Sequence, residues 1–145
     1  MGQTQTSIYV NFEEVQNMIT TSTNVCLVNT LEMGMQSCLI VGTIHASNED
    51  DIINELMKSN INQLIIVYGL NDLDVTVKQK YDKLVGCGFK NVKIYLGGLF
   101  EWLLLQEVFG FNLFQTTIKS SEIDILAFKP KKQMQSNNVQ LLGWK

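Results

Sequence analysis

Three cysteines, a single histidine and a close pair of aspartates are the residues of this chain best equipped for chemistry. Cys26, Cys38 and Cys87 are odd in number and lack metal-ligand spacing, and His45 alone cannot complete a zinc site with them. Reduced thiols are therefore expected. Cys26 lies inside a short apolar run and reads as a small hydrophobe. Cys87 falls between a helical stretch and the start of a strand, whereas ligands of an open α/β sheet collect beyond the C-terminal ends of its strands. Cys38, in the connection after the Val25–Asn29 run, can approach that edge. It is the best placed of the three as a nucleophile, against the plainer reading of an ordinary semi-buried thiol. His45 follows an apolar run with no residue that can be named to orient it, so a structural hydrogen bond is expected of it. Asp72 and Asp74 share the polar string "LNDLD" with Asn71. One aspartate is expected to cap the next helix. As ligands for a divalent cation, these three residues are too few to make a site. No cofactor is implied.

The elements that must position these residues follow from hydropathy patterning. A short strand is expected at 8–10, then a helix over 11–20 with Asn11 as its cap and Phe12, Val15, Met18 and Ile19 on one face. Val25–Asn29 and the run "CLIVGTI" within 37–45 suit buried strands. Residues 48–57 open with a polar cap and an acidic first turn and read as a helix with Ile52, Ile53 and Leu56 on one side. "QLIIVYG" is the most strand-like piece, and its continuous β-branched run indicates burial on both faces. After the aspartate loop comes an amphipathic helix to about 85, with Val77, Tyr81, Leu84 and Val85 inward. It ends on the glycines of "GCGF", and the strand "NVKIYL" comes next. "GGLFEWLLLQEVFG" is a helix between glycines. Strands alternate with helices, so the expected fold is α/β with a mostly parallel sheet covered on both faces. Past 110 the pattern fades. "SEIDILAFKPKK" reads as a docked strand or extended wrap, and residues 133–138 as loose chain.

Composition narrows the function classes. The chain of 145 residues is 46% hydrophobic and 17% charged, which suits one folded domain. A net charge of -3, with pI near 5.1 and no basic stripe interleaved with aromatics, argues against nucleic acid as a partner. No apolar run is long enough to span a bilayer, and residues 1–6 lack the pattern of a secretory signal, so a cytoplasmic location is expected.

Three stretches resemble the rhodanese family, over roughly 8–110. "CLIVGTIHA" resembles the family's "GHIPGAI", with Leu39 at its histidine and Val41 at its proline. "IIVYG" resembles the strand ending in tyrosine-cysteine, with Gly69 in the cysteine's place. "GFKNVKIYLGGLFEW" resembles the closing "GF-x-NV-x-x-L-x-GG-x-x-x-W", with Gly88, Phe89, Gly97, Gly98 and Trp102 matching. The longer string "GGLFEWLLLQEVFG…TT…DILAFKP" is also similar to a rhodanese-like branch of protists and large viruses. The resemblance implies a rhodanese-like three-layer fold. It divides the chain into an N-terminal segment 1–7, a domain 8–110 and a C-terminal extension 111–145 that packs on or wraps the domain.

The departures bear on activity. The family's first buried strand is usually followed by an aspartate and an arginine, where Asn29 and Leu31 stand here. Its active loop starts with cysteine; here the loop is Gly69, Leu70, Asn71, Asp72, Leu73, Asp74, and slightly longer. Sulfur transfer needs a thiolate whose pKa a helix N-terminus and a nearby cation lower from about 8.5 to roughly 3.5–7.5. Glycine supplies no nucleophile. The aspartates face an anionic donor such as thiosulfate, and two charges about 4 Å apart at an effective dielectric near 20 repel by roughly 4 kcal/mol. The same absence excludes a cysteine phosphatase on this loop. The leading expectation is a non-catalytic binding or regulatory module that uses the vestigial loop, with an unidentified protein partner. The rival is a thiosulfate or persulfide sulfurtransferase using Cys38.

Two further features suggest association. Residues 1–6 match the N-myristoylation pattern at Gly2, against the alternative of coincidence in a short motif. One acyl chain gives only marginal membrane binding, with K on the order of 10⁴ M⁻¹. Lys129, Lys131 and Lys132 add to it if they fold back near the N-terminus. The helix over 99–109 is apolar almost all round, from Leu99 and Phe100 to Phe109, with only Glu101, Gln106 and Glu107 polar. Burial beneath Phe114, Ile123, Ile125 and Phe128 is the expectation for it. Self-association as a homodimer or scaffold is the second choice, and the terminal "LLGWK" suits either local docking or a partner.

Overall fold

The computed structural model describes residues 7–21, 23–119 and 123–131. Gly2, Lys132, residues 133–138 and the terminal "LLGWK" lie outside the described residues. Five strands form one sheet in the order β1-β5-β4-β2-β3, and every strand pair is parallel. The strands are β1 (Tyr9–Val10), β2 (Val25–Asn29), β3 (Thr43–Ile44), β4 (Leu64–Tyr68) and β5 (Val92–Tyr95). The helices are α1 (Phe12–Thr20), α2 (Ala46–Ser59), α3 (Val75–Gly86) and α4 (Gly98–Phe109).

The run "LIIVY" makes β4 central because each residue finds an apolar layer on its own side. Ile66 and Tyr68 face a cluster with Val15 of α1 and Leu99, Trp102 and Leu103 of α4. Ile65 and Val67 face the opposite cluster, with Ile53 of α2 and Val77 and Leu84 of α3. Alternation along the strand thus builds two cores, and the three layers result.

Local capping sets the helix starts. Asn11 caps α1 in a reciprocal box with Glu14. His45 caps α2 by accepting the Ser47 N–H on Nδ1 at 3.1 Å, so this helix begins ahead of the expected Asn48. An imidazole acceptor does the work usually given to Ser or Asp, which is why the residue pattern misplaces the start. His45 therefore has the structural hydrogen bond expected of it.

Other expectations need correction. "CLIVGTI" is not one strand: only Thr43 and Ile44 pair with β2, because Gly42, with φ of +87°, turns the chain. The residues before the turn still bury, and Ile40 bridges Thr116. Val85 of α3 is 44% exposed, one position too far round to reach the core. "SEIDILAFKPKK" contains a 3₁₀ turn at Ile125–Phe128, capped by Asp124, rather than a strand. Phe114, Ile123, Ile125 and Phe128 do pack on the cluster around α4, Phe114 with its ring edge-on to Trp102 at 5.1 Å. One side of α4 is left open, with Leu104, Val108 and Phe109 exposed.

Candidate functional site

The C-terminal ends of β2 and β4 open onto the turn between β4 and α3, which begins at Gly69. Asp74 organises this turn. Its Oδ1 accepts the Thr76 N–H at 3.0 Å and its Oδ2 the Leu70 N–H at 2.9 Å. The Thr76 hydroxyl donates to Oδ1 and that of Thr30 to Oδ2 at 3.5 Å. One carboxylate therefore caps α3, as expected of the pair, and also folds back over the turn to take amides and hydroxyls from three segments of chain. Asp72 is exposed.

A Cβ built on Gly69 would stand 2.4 Å from Asp74 Oδ2 and 2.6 Å from both Thr30 Oγ1 and Val77 Cγ2. The backbone at 69 is not in the left-handed region, so the obstacle to a side chain is space alone. Gly98 meets the turn from the other side. It adopts φ of +70°, and a Cβ there would lie 2.7 Å from the Gly69 carbonyl oxygen. This close approach lets the Leu99 and Phe100 amides of α4 donate to Gly69 and Leu70 carbonyls, each at 2.9 Å. Those first-turn amides are thereby turned to the peptide chain instead of to a ligand.

Asn71 is buried and ties the turn to the C-terminal segment. Its Oδ1 accepts the Leu73 N–H and its Nδ2 donates to the Phe128 carbonyl, both at 2.9 Å. With these bonds and those of Asp74, the polar side chains of Asn71 and Asp74 are committed within the protein. Beside the turn lies a groove of about 440 Å³, walled by Leu31, Met35, Leu73 and Val75 on one part and by Lys129 and Lys131 on another. A second cavity of about 390 Å³, between α2 and α3, holds the ion pair of Lys80 with Glu49.

At the end of β2, Asn29 and Gln36 pair their amides. Gln36 Nε2 donates to Asn29 Oδ1 at 2.8 Å and Asn29 Nδ2 to Gln36 Oε1 at 3.0 Å. Leu31 N–H completes Asn29, and Ala46 N–H completes Gln36. Asn29, at the position where the resemblance has an aspartate, is thus held by a neutral partner seven residues on, and the polar atoms of the pair are satisfied within the protein. Nothing in the residue pattern marks Gln36, seven positions downstream. Thr30 and Thr76 are equally unmarked, although Thr76 sits two residues after a capping aspartate, a usual place for such a hydroxyl.

The thiols lie apart from the turn. Cys38 is 4% exposed, in the cluster with Tyr68 and Trp102, and burial raises its pKa, partly offset by a hydrogen bond to Thr116. Burial, with a smaller contribution from the Glu49 charge, pushes Cys26 up to about 11. Cys87 caps the C-terminus of α3, away from the groove edge of the sheet. Among the described residues these three cysteines are free, and none lines the groove beside Gly69.

No family model matches the chain, and no curated protein matches it. Solved structures do. The solution structure of the rhodanese-like domain of the Alr3790 protein from Anabaena sp. is 18% identical, with 91% of each chain covered and a TM-score of 0.55. The fold is rhodanese-like. A Lactobacillus plantarum protein is 19% identical over 68% of this chain and 84% of its own, with a TM-score of 0.57. Thiosulfate sulfurtransferase from Pseudomonas aeruginosa is 16% identical over 68% of this chain but 19% of its own, with a TM-score of 0.55. A shared fold does not by itself give this chain the activity of any of these proteins.

Proposed function

We propose that this chain is a non-catalytic rhodanese-like binding module of a branch without the catalytic cysteine. One observation carries the reading: the volume into which a side chain at 69 would project is taken by the Asp74 carboxylate. Amides at the turn that would stabilise an incoming anion already hold an internal one. A thiosulfate approaching this turn meets negative charge and finds no sulfur atom. The burial of Cys38 and its raised pKa weigh against the rival sulfurtransferase, because the thiolate is the nucleophile. The test is turnover of thiosulfate with cyanide as acceptor, and of a persulfide donor with a thiol acceptor. No turnover above buffer is expected. Turnover abolished by Cys38→Ser would establish the rival instead.

A membrane-surface role rests on Gly2 and stays part of the proposal. No helix among the described residues is long and apolar enough to cross a membrane. Intact mass of the protein from its native cell, with Met1 lost and a myristoyl group gained, supports acylation; an unmodified mass rejects it. Self-association is favoured by the open side of α4, where Val108 is 71% and Phe109 58% exposed. A monomer by light scattering at high concentration rejects it.

A further inference from the structure

We propose that the groove beside the vestigial turn docks an extended peptide segment of another protein, with an apolar anchor and carboxylates close behind it. The inference rests on the binding-module reading and gives its partner a chemistry. The groove holds about 440 Å³ and presents Leu73 and Val75, 52% and 71% exposed, over the less exposed Leu31, Met35 and Leu70. Apolar side chains left open around a concavity are the usual ground for an anchor residue, and the methionine adapts its shape to the side chain that enters.

Charge selects the residues next to the anchor. Lys129 and Lys131 both line this groove. The ion pairs among the described residues are Lys78 with Asp82 and Lys80 with Glu49, so neither groove lysine has a carboxylate partner there. Their position is built. Asn71 holds the Phe128 carbonyl at 2.9 Å, the partly buried Phe128 packs against the core, and Asp124 caps the 3₁₀ turn that leads into Lys129. Pro130 restricts Lys129 to the extended backbone it adopts, φ -65° and ψ 152°. Two lysines thus line one wall of a partly apolar groove in a chain whose net charge is -3. Glu32 and Asp74 also line the groove, Asp74 with both carboxylate oxygens taken by hydrogen bonds within the turn, so the positive charge is confined to the wall of Lys129 and Lys131, which orients an acidic segment in one direction.

A random-peptide display library selected on the full chain tests this. Enriched peptides are expected to carry Leu, Ile, Met or Phe with Asp or Glu within the next few residues. Synthesised with a fluorescent label, they are expected to lose about tenfold in affinity in Val75→Asp and about tenfold in Lys129→Glu/Lys131→Glu, the latter with a weaker salt dependence. All these positions are exposed, so the variants fold, and circular dichroism checks it. No enrichment, or peptides indifferent to the lysine changes, overturns the proposal. Enrichment that emerges only after Leu141, Leu142 and Trp144 are replaced by serine assigns the groove to this chain's own C-terminal segment and overturns it too. So does a concentration-dependent dimer abolished by Val75→Asp, or lysine-dependent sedimentation with phosphatidylserine vesicles in the absence of peptide enrichment. None of these outcomes touches the turnover assay, so a wrong partner and a wrong non-catalytic reading are told apart.

Discussion

Replacing Asp74 and Gly69 singly and together tests whether the carboxylate fills the space a side chain at 69 would need. Asp74→Ala removes the cap of α3, about 1 kcal/mol. It also strips the partly buried Leu70 N–H of a charged acceptor, roughly 1–2 kcal/mol more. The sum, about 2–3 kcal/mol, lowers a urea midpoint by about 1 M without changing its slope. Gly69→Ala places a Cβ against three atoms at 2.4, 2.6 and 2.6 Å. Overpacking of this kind costs about 1–3 kcal/mol. In the double variant the shortest of the three contacts is gone while those to Thr30 and Val77 remain. The two losses are then expected to fall short of their sum by about 1 kcal/mol. Chemical denaturation of the four proteins measures the cycle. Additivity to within about 0.3 kcal/mol would mean that Asp74 does not occupy that space, and the reasoning behind the inert turn would fail.

Gly98→Ala sets a Cβ 2.7 Å from the Gly69 carbonyl oxygen at φ of +70°, and is expected to destabilise by about 3 kcal/mol, more than Gly34→Ala, where nothing lies within 4 Å. Equal effects in thermal unfolding refute it. Gln36→Ala leaves the Asn29 amide and the Ala46 N–H short of partners and is expected to cost about 2–4 kcal/mol, with part recovered by adding Asn29→Ala; no recovery speaks against a shared network. The raised thiol of Cys26 and the raised hydroxyls of Tyr68 and Tyr95, each chiefly from burial, set an alkaline limit. Groups that hold their protons more tightly when folded contribute fully below their unfolded pKa and lose that contribution as pH climbs through the folded value. The urea midpoint is therefore expected to fall between pH 9.0 and about 11, less steeply at first in Cys26→Ala, and a midpoint that rises there contradicts the burial argument.

The elements were legible because hydrophobic period and capping chemistry are local. "LIIVY" in β4, "VCLVN" in β2, Asn11 before α1 and the glycines around α4 each declare their conformation from neighbours in sequence, and their alternation is enough for a parallel three-layer fold. That residues 69–74 hold no cysteine and that an aspartate among them caps a helix could likewise be read from the sequence. Which atom fills the gap could not. Asp74 reaches Thr30 only once β2 and β4 lie side by side, and Asn29 meets Gln36 only after the chain has turned back past β2. Residues 37–45 show the converse: an apolar run says that a segment is buried but not how, and Gly42 turned this one out of strand geometry. Side-chain contacts between segments distant along the chain depend on register and angle between packed elements, which no local pattern encodes; in this protein those contacts decide what the turn can hold.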